Sequence, residues 1–194
     1  IHNGIDTQKY SPNELFRNKF REKFNISKNT KLLLCVARYD PMKDHVTLLK
    51  SFENIKKSFS NIILILAGSG TEKFSNIDKV ISLGAYTNIN EVYSASDIII
   101  SSSAFGEGFS NAIGEGMSSG LIPVSTNVGD AKFIIKDKGK IVDIKDHIKL
   151  SRAVLEVLKM SEVEYKDYKL KARNRIINYF SKEKMIKNYN NIYK

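Results

Sequence analysis

An α/β fold, with a parallel sheet covered by helices on both faces, is what three features of this sequence predict. Short apolar runs bounded by turn residues recur along the chain. Helical patterns separate those runs. A glycine-threaded segment at 105–120 sits between two of them. Strand, glycine loop, short helix and strand form the unit on which open α/β sheets bind ligands, at the carboxyl ends of their strands.

Taken in order, 31–37 read as the first strand, an apolar run holding the lone cysteine, Cys35. A helix follows over 44–58, because Leu48, Phe52, Ile55 and Phe59 fall on one helical face. Residues 61–67 and 79–83 read as the second and third strands. The stretch between Gly70 and Val80 has room for little more than one helical turn, so the sheet should be thinly covered there. A short helix over 90–94 precedes the fourth strand, 97–102, whose isoleucines run into serines. The glycine loop then leads to a helix over 110–119. Residues 122–126 and 140–143 read as further strands. The helix at 146–160 carries Leu150, Val154, Val157 and Leu158 on one side. Residues 162–194 are polar, with Tyr165, Tyr168, Tyr179, Phe180, Met185, Tyr189 and Tyr193 spaced as an amphipathic stripe. No internal repeat or low-complexity linker interrupts the chain.

Composition narrows the class. At 194 residues, the chain is long enough for one domain with a full core. No apolar run approaches the roughly 20 residues of a membrane-spanning helix. A single cysteine excludes an intrachain disulfide, fits a reducing compartment, and reads as a small core residue rather than a nucleophile. The formal net charge is +10, and most of the cations are lysines spread along the sequence. Nucleic-acid readers cluster arginines, so the charge reads as a solvated surface, or as attraction to an anionic membrane face. The three histidines are scattered and no Asp-x-Asp pair exists. Lys73 stands where a dinucleotide fingerprint begun at Gly68-Ser69-Gly70 needs its third glycine.

The candidate site centres on Glu107 and Glu115. Glu107 lies in the loop past the fourth strand, and Glu115 on the second turn of the next helix. Ser110 and Asn111 can each cap that helix, whose first N–H groups suit an anion. One carboxylate then stands on each side of a phosphate site, and carboxylates accept hydrogen bonds from sugar hydroxyls. Gly114 and Gly116 each cost the helix about 1 kcal/mol against Ala, which makes sense where something approaches the backbone closely. Arg38 and Lys43 flank a strand-to-helix turn. They suit a diphosphate, though their spacing alone reads equally as two surface cations. Gly84 to Tyr86 lies just past a strand, where a base or an ordinary turn would fit.

These residues resemble a known family. Glu107 to Glu115, then Glu-Gly-Met-Ser-Ser-Gly at 115–120 and Ile-Pro-Val at 122–124, are similar to the donor-binding domain of retaining glycosyltransferases of family four. Those enzymes have the GT-B architecture of two Rossmann-like domains. Residues 1–6 resemble the family's interdomain segment, and Arg38 to Lys43 its phosphate-binding Arg-x4-Lys. Ala67-Gly68-Ser69-Gly70, Ser82-Leu83-Gly84 and Asn127-Val128-Gly129-Asp130 match in order. Two positions depart: Ser110 stands where the family usually has Gly or Pro, and Gly116 where it has Ala.

The resemblance implies a Rossmann-like C-terminal half of a GT-B fold. It implies an interdomain segment and a helix leading into the first strand over 1–30, and a nucleotide-sugar-binding domain over 31–160. Terminal helices over 161–194 would cross back to an N-terminal acceptor domain outside this sequence. It further implies that Arg38, Lys43, Gly108, Phe109, Ser110 and Asn111 bind the donor's phosphates or sugar. Glu115 would hold the ribose, and Glu107 would act at the sugar's reacting carbon. The donor would be a UDP- or GDP-sugar, the chemistry metal-independent and without a cofactor. The setting would be cytoplasmic, at the inner membrane surface, in polysaccharide or lipopolysaccharide assembly. Taken alone, this portion should bind nucleotide and transfer nothing. A sugar-nucleotide epimerase on the same architecture, and a basic non-catalytic module that inherited the fold, are the competing expectations; nucleic-acid binding through the net charge is a third.

Overall fold

The computed structural model describes residues 1–193. Its strands are β1 (Lys31–Val36), β2 (Ile62–Ala67), β3 (Val80–Gly84), β4 (Ile98–Ser101), β5 (Ile122–Thr126) and β6 (Lys140–Val142). All pair in parallel, in the order β3-β2-β1-β4-β5-β6. β1 runs beside β2 from Lys31↔Ile62 to Val36↔Ala67, and meets β4 at Leu33↔Ile98 and Leu34↔Ile99. Strand order reverses between β1 and β4, so a crevice opens beyond their carboxyl ends.

The helices are α1 (Glu14–Lys23), α2 (His45–Ser58), α3 (Ile89–Ala95), α4 (Asn111–Ser118), α5 (Ala131–Ile135), α6 (His147–Leu158), α7 (Glu162–Phe180) and α8 (Lys182–Ile192). Parallel strands are buried on both faces, which is why they read as unbroken apolar runs. Leu33 and Cys35 of β1 face one core, with Leu48, Phe52 and Ile55 of α2 and Leu150, Val154 and Val157 of α6. Leu32 and Leu34 face the other, with Phe20 of α1 and Val92 and Tyr93 of α3. A third cluster joins Ile113 and Met117 of α4 to Ala172, Ile176 and Phe180 of α7.

Most differences from expectation lie at element ends. Asp44 and Asp146, expected as first helical residues, are caps whose carboxylates accept from the N–H of Thr47 (3.1 Å) and Lys149 (2.8 Å). A single 3₁₀ turn, Thr71–Phe74, replaces a crossover helix between β2 and β3, as the short spacing required. α5 was not anticipated, because five residues are too few to carry a helical period. The C-terminal aromatics do not form one stripe. Tyr165 and Tyr168 pack on the first core and Phe180 is buried in the third, while Tyr179, Tyr189 and Tyr193 are exposed.

Two long-range ties set the frame. Arg21, buried on α1, donates to the carbonyls of Ser27, Thr30 and Ala95 and to Asp97 Oδ2 (3.1 Å). Arg17 takes the other oxygen of Asp97 at 3.1 Å, so the carboxylate just before β4 is fully engaged. The N–H of Ile5 donates to Phe180 O (2.8 Å) and that of Lys182 to Ile5 O (2.9 Å), which joins the two ends of the chain.

Candidate functional site

β1 ends at Val36, and the chain turns through Arg38 into a 3₁₀ turn, Pro41–Lys43, before α2 begins. Asp40 fixes that turn by accepting from Met42 N–H at 2.9 Å. Lys43 is thereby aimed across the crevice. Its Nζ lies 2.5 Å from Glu107 Oε1, in an ion pair whose side chains are 18% and 13% exposed. The Ser103 hydroxyl, just past β4, donates to the same oxygen at 2.5 Å. Glu107 therefore serves as the counter-ion of Lys43. Gly129 (φ +54) holds this loop from behind, since a Cβ there would lie 2.2 Å from the Glu107 carbonyl oxygen.

Ser110 occupies the cap position of α4, its carbonyl accepting from Gly114 N–H at 3.1 Å, yet its side chain accepts no backbone N–H, and Asn111 is the first helical residue. The Asn111 side chain instead accepts from Asn3 at 3.2 Å. The expected capping by either side chain is thus not made, and the first turn of α4 opens toward the cavity that Ser110, Asn111, Ala112 and Ile113 line. Gly114 and Gly116 do mark close approaches, but by the protein itself. A Cβ on Gly116 would stand 2.9 Å from Ile99 of β4, and one on Gly114 2.8 Å from the Ile5 side chain. A Cβ on Gly108 would meet nothing within 4 Å, so space is open beside that residue.

Three cavities adjoin beyond the strand ends. The first, of about 260 Å³, is lined by Lys43, Ser103, Glu107, Phe109, Ser110 and Asn111 among others. The second, of about 540 Å³, is lined by Arg38, Gly68, Ser69, Tyr86, Tyr10 and Glu115. The third, of about 370 Å³, holds Asn3, Asp6, Lys9 and Tyr10. Val36 is common to the first and second, Asn111 to the first and third, and Glu115 to the second and third. The structure thus brings Lys43, Glu107 and the start of α4 into one chamber, and Arg38 and Glu115 into its neighbour. Arg38 is the looser cation: its side chain is 61% exposed and lies 3.4 Å from Asp40.

Glu115 is half-buried. Burial raises its carboxyl above the usual carboxylate range, against the hydroxyls of Tyr93 and Tyr10 and the charge of Lys9. Burial and the nearby Glu115 push Tyr10 up to about 12. Cys35 sits at the floor of the first cavity, but burial pushes its thiol up to about 12, and it behaves as a core residue. Among the described residues no group of three or more His, Cys, Asp and Glu is placed to hold a metal ion, and no helix is long and apolar enough to cross a membrane.

Ser103, Tyr93 and Tyr10 were not singled out from the sequence. The serine run that ends β4 was a signal for the first. Nothing in the local pattern marks the two tyrosines.

The chain resembles known proteins in both sequence and shape. The family model described as "Glycosyl transferases group 1" matches residues 16–182. EpsF of Bacillus subtilis (strain 168) is 27% identical over 130 residues, covering 62% of this chain and 34% of its own length. A glycosyltransferase structure from Rickettsia africae superposes with a TM-score of 0.86 at 24% identity, over 100% of this chain and 56% of that one. HepE from Anabaena, in complex with UDP-glucose, superposes with a TM-score of 0.82 at 18% identity, over 93% and 53%. The C-terminal domain of LpcC from Francisella tularensis gives 0.77 at 21% identity, over 92% and 100%. The structural likenesses establish the fold, and this chain spans about half the length of the Rickettsia and Anabaena proteins.

Proposed function

The chain belongs to the group 1 glycosyl transferases, and from that premise we propose that it is the donor-binding portion of a retaining hexosyltransferase that uses a UDP- or GDP-sugar. The observation that carries this reading is the pair of adjoining chambers at the β1/β4 switch point. One holds a cation beside an uncapped helix start, and the other a half-buried carboxylate. A diphosphate suits the first and a ribose diol the second. The UDP-glucose held by HepE on the same fold supports such a ligand.

Breaking the bond between sugar and diphosphate develops negative charge on the departing phosphate oxygen. Lys43 and the free N–H groups of Phe109, Ser110 and Asn111 would meet that charge, with Arg38 closing over it from the neighbouring chamber. A diphosphate at Lys43 displaces Glu107 as its partner, which frees the carboxylate for the hydroxyls and developing positive charge of the sugar. The open space beside Gly108 lets the ligand come against the backbone. On this reading the acceptor site lies on a further domain across the crevice. The net charge of +10 would favour an anionic membrane face, where a lipid-linked acceptor of polysaccharide or lipopolysaccharide assembly would sit.

Calorimetric titration with UDP and GDP, repeated on Glu115→Ala, tests the reading. One nucleotide should bind, and the variant should lose about 1.5–3 kcal/mol, roughly 10- to 150-fold. Unchanged affinity in Glu115→Ala would remove the ribose assignment and the proposal with it. Retention is tested separately, by the anomeric configuration of the glycoside that the whole enzyme makes.

A further inference from the structure

We propose that Tyr93 is a positioning residue for Glu115, its buried hydroxyl setting the orientation in which that carboxylate receives the nucleotide's ribose. The proposal rests on the ribose reading of Glu115 given above.

Tyr93 lies on α3, and its ring is wholly buried in the core formed with Phe20, Leu32, Leu34, Ile99 and Leu121. A phenylalanine would fill the same volume without placing a polar oxygen in an apolar core. Burying a hydroxyl is costly unless it is hydrogen-bonded. Among the described residues this one makes a single hydrogen bond, to Glu115 Oε2 at 2.8 Å, reaching from α3 to α4. The hydroxyl therefore serves one contact, and that contact is with the one carboxylate shared by the second and third cavities.

The geometry leaves work for Glu115 to do. Tyr93 occupies one acceptor position on Oε2 from the core side, and the carboxylate still borders both cavities. Tyr10 stands edge-on to Tyr93, with ring centroids 5.7 Å apart and planes at 88°, and closes the other side. Tyr10 is itself anchored, since its carbonyl accepts from Ser118 (2.6 Å) and Arg173 (3.3 Å). A glutamate side chain has three rotatable bonds, and a vicinal diol needs both carboxylate oxygens presented together. Fixing one oxygen from behind removes the rotamer freedom that binding would otherwise have to remove. Burial raises the Glu115 carboxyl while the two tyrosines and Lys9 oppose that rise, so the same contacts favour the charged acceptor form.

The test compares wild type, Tyr93→Phe and Glu115→Ala by calorimetry, against the nucleoside diphosphate that binds and its 2′,3′-dideoxy analogue. Tyr93→Phe should weaken the ribonucleotide about 3- to 10-fold and leave the dideoxy analogue unchanged. The loss should vanish in the Glu115→Ala background. Equal weakening of both analogues, or none of either, overturns the proposal and leaves Tyr93 a core residue. Full affinity in Glu115→Ala, or no binding of UDP or GDP by the wild type, instead overturns the ribose reading itself. Should Tyr93→Phe fail to fold, the ζ-carbon of labelled Tyr93 in the native chain gives the same decision. Its resonance should move with the ribonucleotide and not with the dideoxy analogue; equal movement with both overturns the proposal.

Discussion

Replacing Glu107 with Gln should tighten the binding of the free nucleoside diphosphate. Lys43 is held by a carboxylate at 2.5 Å, and both side chains are mostly shielded from water. A diphosphate must break that pair to reach the ammonium. A hydrogen bond to a charged group contributes about 1.5–3 kcal/mol and a neutral one about 0.5–1.5 kcal/mol. Substituting an amide for the carboxylate therefore lowers the cost of releasing Lys43 by about 1 kcal/mol, or about fivefold in Kd. The amide has the same shape, and its oxygen can still accept from Ser103, so the loop should keep its place. Calorimetry with the preferred nucleotide in low salt measures the effect, with a thermal melt as control for folding. The sugar-bearing donor should gain less than the free diphosphate, because the sugar loses its carboxylate. Weaker or unchanged binding of the diphosphate would refute the reasoning, and would mean that its phosphates do not lie at Lys43.

Three further outcomes are expected. Glu115→Gln should melt at or above the wild type at pH 7.5. The folded carboxyl is raised above its ordinary 4.5, so the native state holds the proton more tightly. Wild-type stability then falls as pH rises from about 4.5 through the raised value, and the gap between variant and wild type should close on acidifying; melts across pH 4.5–8 read this. Gly116→Ala should lower stability by about 1 kcal/mol, the overpacking against Ile99 exceeding the helix-propensity gain, and should depress Tm by about 2–4 °C. Arg21→Met should cost about 1.5–3 kcal/mol in urea unfolding, because the Thr30 carbonyl loses its donor, those of Ser27 and Ala95 each lose one of two, and buried Asp97 keeps only Arg17 as its ionic partner.

What the sequence made legible was whatever a short window can carry. The run at β1 and the isoleucines of β4 announced buried parallel strands, and the face through Leu48, Phe52 and Ile55 announced α2. The candidate site was legible as a set of residues but not as a set of contacts. Lys43 and Glu107 are 64 positions apart, and nothing local says that one neutralises the other. Arg21 and Asp97 are separated by 76. Tyr93 reads as one more apolar residue on a short helix, because a hydroxyl's single partner is decided by tertiary packing. The glycines of α4 signalled close approach correctly. That the intruders are Ile99 and Ile5 could be learned only from the fold.

The position of Ile5 has a mechanical consequence. Its side chain is wedged against Gly114 in the middle of α4, while its backbone is stitched to Phe180 and Lys182 at the junction of α7 and α8. α4 is also the helix whose first turn opens onto the cavity beside Lys43. The segment around Ile5, α7, α8 and the first turn of α4 are therefore links of one lever. Tugging the segment around Ile5 would press on α4 near its midpoint and tilt the amides that a phosphate would grip.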